Sequence, residues 1–327
     1  MNRRHSVLNR VRHVVLGVAF AGSLAGMAHA QADNFPSQPI EIINMSAPGG
    51  GTDIFLRMLA ICARDELGTD VVVLSKTGGL GAAMVNYVNN RPRDGHTLMV
   101  VGPSVYLTVG KGKTPIKPDD IVPLVRGTED PQFLIAKKGG KIASAQVLLE
   151  EGRRRGIKIG GTHVGGTDWT AGMLFAKRAG FKPLLYVPFG GGADILTNVI
   201  GGNLEVGILN FSEAEAQIEA GAVVPLVVMS ERRFGKSPNT PTSVEVGVQA
   251  RMATLRGVGA LKGVPPERLA KLERAFLKAM ECDQYQKYLQ TNGLDRDSIA
   301  GSEEYAKQIQ ETYQAMAELE GELAKRE

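Results

Sequence analysis

Three short apolar segments of this chain are each followed by a run of glycines and then by a segment with helical spacing. The segments are IEIINM before SAPGGGTD, IKIGG before THVGGTD, and LLYVPF before GGGAD. Apolar, β-branched runs of this length predict strands, and apolar residues three and four positions apart predict helices. Strands that alternate with helices form parallel sheets with right-handed crossovers. The sequence therefore predicts an α/β fold.

Two sets of these units follow one another along the chain. The first set has predicted strands at 40–45, 71–74 and 97–101, and predicted helices at 54–67 and 80–90. The second set has predicted strands at 133–136, 157–161, 184–189, 206–209 and 223–230, and predicted helices at 144–155, 168–180, 193–202 and 212–221. The C-terminal part adds predicted helices at 265–280 and 303–325. We therefore expect two α/β lobes that join near residues 127–131.

Residues 1–30 have the three-part pattern of a secretory signal peptide. Arginines precede the apolar run VVLGVAFAGSLAGMA, and the small-residue cleavage site Ala28-His29-Ala30 follows it. The run is shorter than the roughly 20 residues of a membrane-spanning helix. We expect export to the periplasm and cleavage after Ala30. Because the leader holds four arginines and no acid, its removal lowers the formal net charge from +4 to about zero. A neutral chain gives no reason to expect nucleic acid or an anionic membrane surface as a partner.

The two cysteines, Cys62 and Cys282, lie far apart in the sequence. An exported protein can bridge them, but sequence does not give the Cα separation that a disulfide requires. We favour two buried free thiols on helices and keep the disulfide as the alternative. No histidine cluster lies beside either cysteine, so there is no zinc signature. We expect no metal and no cofactor.

Residues 47–53, APGGGTD, form the first candidate binding loop. Three consecutive glycines let the backbone approach a ligand, and Thr52 or Asp53 can cap the helix that follows. The first-turn N–H groups of such a helix attract an anion. Nucleotide-binding patterns fail in this chain. Ile54 occupies the last, small position of G-x-G-x-x-G, and Leu107 stands where G-x-x-x-x-G-K-[ST] needs its first glycine. The sequence therefore favours a carboxylate over a phosphate.

Residues 161–169, GTHVGGTDW, repeat this arrangement in the second lobe, and residues 188–194, PFGGGAD, provide a third loop. Residues 76–82 and Ser104 are weaker candidates at the ends of the other first-lobe strands. Loops from both lobes can face each other across a cleft and offer N–H groups to one carboxylate without an arginine. Trp169, the single tryptophan, either packs on a helix face or lines the cleft.

Catalytic residue sets are poorly represented. The sequence has no G-x-S-x-G elbow. His163, in the second loop, is either a solvated loop residue or a ligand contact. Asp53 and Asp168 could act as general acid and base, but capping of two helices is the simpler interpretation. We expect a binding protein, not an enzyme.

Several motifs occur together in the order that one family shows. APGGGTD, RPRDGHTL, GGTD, YVPFGGGADILTNVIGGNLEVGI and NTPTSVEVG resemble the substrate-binding receptors of tripartite tricarboxylate transporters, also called the Bug family. The resemblance covers essentially the whole chain after the leader. It implies a two-lobed type II periplasmic-binding-protein (Venus-flytrap) fold with the ligand cleft between the lobes. It also implies capture of a di- or tricarboxylate or a related acid, held largely by main-chain N–H groups and ordered waters, and delivery to a two-part membrane permease.

The matching loops are 46–53, 76–82, 165–169 and 188–193. The expected ligand-binding residues are Ser46, Pro48, Gly49, Gly50, Gly51, Thr52, Asp53, Gly79, Ser104, His163, Gly165, Gly166, Thr167, Asp168, Trp169, Phe189, Gly190, Gly191 and Asn210. The chain departs from the family pattern at Ser75-Lys76-Thr77 and at Trp169, so the identity of the ligand is not carried over.

We expect residues 33–128 to form the first lobe, 129–230 the second lobe, 231–300 the return to the first lobe, and 301–327 a C-terminal helix packed across both lobes. We also expect a monomer. Two other functions stay open at this point. One is a carboxylate sensor of the same fold with no permease of its own. The other is an exported α/β hydrolase or isomerase that uses Asp53 or Asp168.

Overall fold

The first lobe follows the predicted alternation of strands and helices. In the computed structural model, β1 (Ile40–Asn44) lies parallel to β2 (Val71–Ser75) and to β3 (Thr97–Val101). The connecting helices are α1 (Gly51–Leu67) and α2 (Ala82–Asn89). The structure describes residues 34–162 and 164–324, and from Gln38 onward they form one unit. The predicted signal peptide and His163 lie outside the described residues.

A short helix follows β3 in a segment where no helix was predicted from the sequence. This helix, α3, spans Pro103–Gly110 and places Pro103 in its first turn. Proline suits that position because the first N–H groups of a helix have no intrahelical acceptor. Most of the residues of α3 are buried, so tertiary packing stabilises a segment whose periodicity is weak.

β4 (Ile121–Lys137) is a long strand that connects the two lobes. Its residues 121–131 pair antiparallel with β9 (Ala253–Leu261), and its residues 132–137 pair with second-lobe strands. The sequence predicted only residues 133–136 as a strand and placed the join of the lobes near 127–131. The strand runs through that segment without a break, so the join is a continuous strand rather than a loop.

The second lobe contains four further strands and four helices among the described residues. The strands are β5 (Lys158–Gly161), β6 (Leu185–Pro188), β7 (Val206–Asn210) and β8 (Val223–Val228), and the helices are α4 (Ala145–Arg155), α5 (Thr167–Ala179), α6 (Gly192–Gly201) and α7 (Phe211–Glu219). The whole sheet has the order β2-β1-β3-β9-β4-β7-β5-β6, with β8 also paired to β4. Parallel β5, β6 and β7 bring their carboxyl ends to one edge, which is where open α/β sheets bind ligands.

The C-terminal part consists of α8 (Pro266–Ala279), α9 (Asp283–Thr291) and α10 (Ser302–Ala324). α10 touches both lobes. The hydroxyl group of Tyr305 donates to the carbonyl oxygen of Val101 at 2.7 Å, and Glu318 pairs with Lys177 of α5 at 2.7 Å. The exact division of the chain between the lobes stays a prediction.

A disulfide bond joins Cys62 of α1 to Cys282, the residue before α9, with a Cα–Cα distance of 6.3 Å. The favoured prediction of two free thiols is therefore wrong. The prediction failed because α9, which was not predicted from the sequence, returns to α1 and brings the two Cα atoms within bonding range. The bridge fixes α9 against the helix that carries the first glycine loop.

The described part of the chain, residues 34–162 and 164–324, contains no helix with the length and apolar character needed to cross a bilayer.

Candidate functional site

The first glycine loop is stabilised by a buried carboxylate. Asp53 lies in the first turn of α1 and is 2 % exposed. One of its oxygens accepts the N–H of Gly49 at 2.9 Å and the Nε–H of Arg57 at 2.8 Å. Asn44 donates to the other oxygen at 3.4 Å. The Arg57 hydrogen bond in particular lowers the pKa of Asp53, so this carboxylate is ionised and structural.

The start of α1 corrects one detail of the sequence prediction. Gly50 precedes the helix and has no side-chain cap, and Thr52 and Asp53 lie inside the first turn. Asp53 instead reaches back to Gly49, whose φ of +82° is a conformation that favours glycine. The amides of Gly51, Thr52 and Asp53 are the first-turn donors that helix geometry leaves without an intrahelical acceptor. This end of α1 can therefore bind an anion.

The second glycine loop is also stabilised by an aspartate of the helix that follows it. Asp168 of α5 accepts both the backbone N–H of Thr162 at 3.0 Å and its hydroxyl at 2.7 Å. Gly165, with a φ of +80°, turns the chain into the helix. The hydroxyl group of Tyr186 donates to the carbonyl oxygen of Thr162 at 2.8 Å and fixes the other side of the loop. Asp168 thus shapes its own loop, as Asp53 does in the first lobe.

The third glycine loop lies beside α7. A Cβ atom at Gly192 would lie 2.6 Å from the Glu213 carboxylate, so a larger residue here would displace that side chain. Glu213 accepts the backbone N–H of Asn210 at 2.9 Å and caps α7. The Asn210 amide donates to the carbonyl oxygen of Asp130 on β4 at 2.8 Å. The end of β7 is thereby attached to the strand that joins the lobes.

A cavity of about 660 Å³ opens between the lobes at this point. Gly51 and Ile54 of α1 line one side, and Asn210 and Glu213 line another. Tyr288 belongs to the wall that α9 contributes. The volume lies within the range of small-molecule sites, roughly 300–1,000 Å³. Residues from both lobes thus surround one space that could hold a small ligand.

The floor of this cavity carries a buried acid and a basic side chain. Asp130 of β4 is 5 % exposed, and its Oδ2 atom lies 3.9 Å from a guanidinium nitrogen of Arg256 on β9. Burial raises the pKa of Asp130 to about 7, although Arg256 acts in the opposite direction. The Arg256 guanidinium also lies 3.5 Å from the position that a side chain at Gly51 would occupy. The cavity floor therefore sets a cation close to the start of α1.

Few of the expected ligand-binding residues lie at this cavity. Gly51 and Asn210 line it. The exposed members of the set are Pro48, Gly49, Gly50, Gly51, Gly79, Ser104 and Gly190, the half-buried members are Ser46, Thr52, Gly165, Thr167, Asp168, Phe189 and Gly191, and the buried members are Asp53, Gly166, Trp169 and Asn210. Trp169 is 3 % exposed and packs in the hydrophobic core of the second lobe. Its side chain therefore contributes to the core in this conformation.

Four charged residues that line the cavity were not predicted from the sequence, namely Asp130, Glu213, Arg256 and Lys287. Asp130 and Arg256 lie on strands that the periodicity did not delimit, and Glu213 lies in a predicted helix. One signal was present in ATLRGVGAL, where a single arginine is the one charged residue of the segment. A charge in a buried strand requires a partner or a function.

The family model described as tripartite tricarboxylate transporter family receptor matches residues 55–323. The protein BugT of Bordetella pertussis is 27% identical over 274 residues, which are 82% of this chain and 83% of BugT. A protein of Cupriavidus necator, encoded in the gbd 5′ region, is 26% identical over 95% of both chains.

Solved structures share the fold. A TctC solute-binding protein from Polaromonas has a TM-score of 0.81 at 25% identity, over 88% of this chain and 99% of that protein. MatC from Rhodopseudomonas palustris with bound malate has a TM-score of 0.64 at 23% identity, over 86% and 98%. A second R. palustris protein with adipate has a TM-score of 0.68 at 24% identity, over 87% and 97%. These neighbours establish the two-lobed periplasmic-binding-protein fold.

Proposed function

The chain belongs to the tripartite tricarboxylate transporter receptor family, and from this we propose that it captures a small organic carboxylate between its lobes and delivers it to a two-part membrane permease. The family and the fold are those of substrate-binding receptors, not of enzymes. We further propose that the protein works in the periplasm as a monomer, after removal of residues 1–30.

The observation that carries this proposal is the pair of aspartate-anchored glycine loops, one in each lobe. Asp53 and Asp168 each accept backbone N–H groups of their own loop, and each loop opens a helix. Helix N-termini stabilise carboxylates through oriented N–H groups and the helix dipole. Malate and adipate, found with the two R. palustris neighbours, are small dicarboxylates and support this ligand class.

We expect the lobes to close on the bound ligand. A ligand that is bound by both lobes stabilises the closed state by its extra contacts in that state. β4 and β9 cross between the lobes as a paired ribbon, so a bend at this ribbon is the simplest hinge. The closed state would then offer the permease a surface that the open state lacks.

Proline substitutions at the first helical position test the role of the loop amides. Proline removes the N–H group but fits this position with little loss of stability. Gly51→Pro in α1 and Thr167→Pro in α5 each remove one proposed donor. Ala145→Pro, at the start of α4, is the matched control because α4 carries no proposed ligand contact. Calorimetry with succinate, malate, adipate and citrate provides the readout.

We expect at least one of these acids to bind the chain from residue 31 onward. A charge-assisted hydrogen bond contributes about 1.5–3 kcal/mol, so each cleft proline should weaken binding by about tenfold or more. Ala145→Pro should leave the affinity unchanged. Binding of sugars or nucleotides alone, or an equal loss in all three variants, would contradict the proposal.

A further inference from the structure

The ribbon of β4 and β9 has the ligand cavity on one face and charged side chains on the other. Asp130 of β4 and Arg256 of β9 line the cavity. Glu129 and Pro131, the neighbours of Asp130, line a separate pocket of about 170 Å³. Because successive side chains of a strand point to opposite faces, this pocket lies on the far side of the ribbon from the cavity. It is smaller than the roughly 300–1,000 Å³ of small-molecule sites, so its charged residues call for another explanation.

An ion pair at this pocket joins segments that are held by different parts of β4. Arg232 follows β8, which pairs with residues 133–137 of β4, beyond Asp130. Asp297 lies between α9 and α10, and its backbone carbonyl oxygen accepts a hydrogen bond from Arg126 of β4 at 3.0 Å, ahead of Asp130. The Arg232 guanidinium pairs with the Asp297 carboxylate, and both residues line the pocket. The pair therefore spans the hinge.

Arg126 holds the segment of Asp297 to the first part of β4. Its side chain is 1 % exposed, and its Nε–H donates to the carbonyl oxygen of Ser298 at 2.9 Å. The backbone N–H of Arg126 donates to the carbonyl oxygen of Ala300 at 2.9 Å, and the N–H of Ala300 donates back at 3.0 Å. Asp297 is thus expected to move with this part of the strand, whereas Arg232 moves with β8.

We propose that the ion pair between Arg232 and Asp297 holds the lobes apart and so lowers the affinity for the ligand, although neither residue lines the cavity. This inference rests on the proposed function and on the closure proposed with it. A bend that brings the lobes together on the cavity side separates groups on the far side of the ribbon. Because the apparent affinity falls with the fraction of binding-competent protein, loss of a contact made only in the open state tightens binding.

The far side of the ribbon has room for this bend. A cavity of about 350 Å³ lies between α10 and α5, and Ala253 and Leu255 of β9 line it. These two residues alternate with Thr254 and with Arg256, which lines the ligand cavity. Since empty space already exists on this side, bending does not have to separate a closely packed core.

Arg232→Glu tests the inference because it sets two acids against each other across the hinge. Arg233→Glu is the matched control, since it makes the same change of net charge one residue away. Arg233 pairs with Glu245 at 3.0 Å, and the segment of Glu245 is bonded to β8 through a bridge between Thr242 and Val228. That second pair therefore lies on one side of the hinge.

Calorimetry with succinate, malate, adipate and citrate provides the first readout. More than half of each side chain of the pair is exposed, so Arg232→Glu should tighten binding by only about fivefold. General repulsion between the added negative charge and an anionic ligand would instead weaken binding. Arg233→Glu should therefore not tighten it. Addition of Asp297→Arg to Arg232→Glu recreates the pair with exchanged charges and should restore the wild-type affinity.

A distance measurement without ligand provides the second readout. Nitroxide labels at Lys113→Cys in the first lobe and Thr197→Cys in the second lobe occupy exposed positions. Cys62 and Cys282 are bonded to each other, so only the introduced cysteines take the label. Double electron–electron resonance should show that Arg232→Glu shifts the distance distribution in the direction in which a bound acid shifts that of the wild-type protein.

Circular dichroism verifies that each variant is folded. Asp297→Asn, which removes the pair without adding repulsion, should tighten binding about twofold and replaces Arg232→Glu should that variant fail to fold. Unchanged affinity and an unchanged distance distribution, or equal tightening by Arg233→Glu, would overturn the inference while the proposed function stands. Failure of all four acids to bind would count against the proposed function, and the distances between the lobes would still decide the inference.

Discussion

Asp53 and Asp130 are two buried carboxylates with opposite electrostatic surroundings. Asp53 is 2 % exposed and accepts hydrogen bonds from Gly49, Arg57 and Asn44. Asp130 is 5 % exposed, and one of its oxygens has no partner. The pKa of Asp53 is lowered, whereas that of Asp130 is raised to about 7. Burial alone therefore does not determine what a carboxylate does, because the available donors decide its charge and its role.

The two carboxylates also differ in their roles. Asp53 uses its acceptors inside its own loop and so stabilises the loop that presents amides to a ligand. Asp130 has one buried oxygen, Oδ1, without a hydrogen-bond partner among the described residues, at the cost of stability. Natural proteins accept such a cost mainly at functional sites. We expect five changes to distinguish these two regions, and the first has the largest expected effect.

Removal of the disulfide should affect the two regions differently. The variant with Cys62→Ser and Cys282→Ser should lose about 4 kcal/mol of unfolding free energy, because the bridge closes a very long loop. It should also weaken ligand binding, since α9 forms one wall of the Asp130 cavity. Urea denaturation measures the first effect, and hydrogen exchange should show that the Gly49 amide stays protected by Asp53. If removal of the bridge also abolished the protection of the Gly49 amide while the rest of the protein stayed folded, the two regions would form one cooperative unit.

Asp130→Asn should change the pH dependence of stability. A carboxyl group whose pKa is higher in the folded state than in the unfolded state makes the protein less stable as the pH rises. For Asp130 this loss of unfolding free energy occurs between the unfolded pKa of 3.8 and the folded pKa of about 7. At roughly 1.4 kcal/mol per pKa unit, the wild-type protein should lose on the order of 3 kcal/mol more than the variant between pH 4.5 and pH 8. Urea denaturation at both pH values provides the test.

The other groups around Asp130 are the same in both proteins. These groups are Arg256 on β9, Glu213 on α7, and Lys287 and Tyr288 on α9. Their contribution therefore largely cancels in the difference. Parallel pH profiles for the wild-type protein and the variant would mean that Asp130 is ionised in the folded state at pH 4.5.

Asp53→Asn should have the opposite pH signature. The variant loses charge-assisted hydrogen bonds to Gly49 and Arg57 and should be less stable by about 2 kcal/mol at pH 7. Because the pKa of Asp53 is lower in the folded state, its ionised carboxylate stabilises the protein at pH values above the unfolded pKa. This stabilisation is lost as the pH falls through the folded pKa. The difference should therefore shrink below about pH 4. Asp65→Asn is the control, and a difference that grows in acid would contradict the assignment.

Arg57→Gln should show the smallest effect, about 1 kcal/mol, because half of the Arg57 side chain is exposed to water. Arg256→Gln provides the comparison. It should shift the stability transition of Asp130 to higher pH, since Arg256 acts to lower the pKa of that carboxyl group. Thermal unfolding from pH 5 to pH 9 measures both variants. A downward shift for Arg256→Gln would show that Arg256 does not act on Asp130 as the structure indicates.

The sequence by itself determined the local units of this protein. The glycine loops, the parallel β1, β2 and β3, and the left-handed end of α5 at Gly180 follow from short-range patterns. These features depend on conformational preferences and apolar periods within about twenty residues, so they can be inferred from neighbouring residues. The resemblance of ordered motifs added the family and the two-lobed fold.

Only the tertiary structure decided the site between the lobes. The continuous β4 was hidden because its polar residues have partners that are distant in the sequence, as when Arg126 donates to the carbonyl oxygen of Ser298. Asp130 lies opposite Thr254 in the ladder, and Cys62 is bonded to Cys282, which lies 220 positions farther along the chain. Such pairs form because folding buries them together and satisfies their polar groups, and no local pattern of residues records which distant partner will be found.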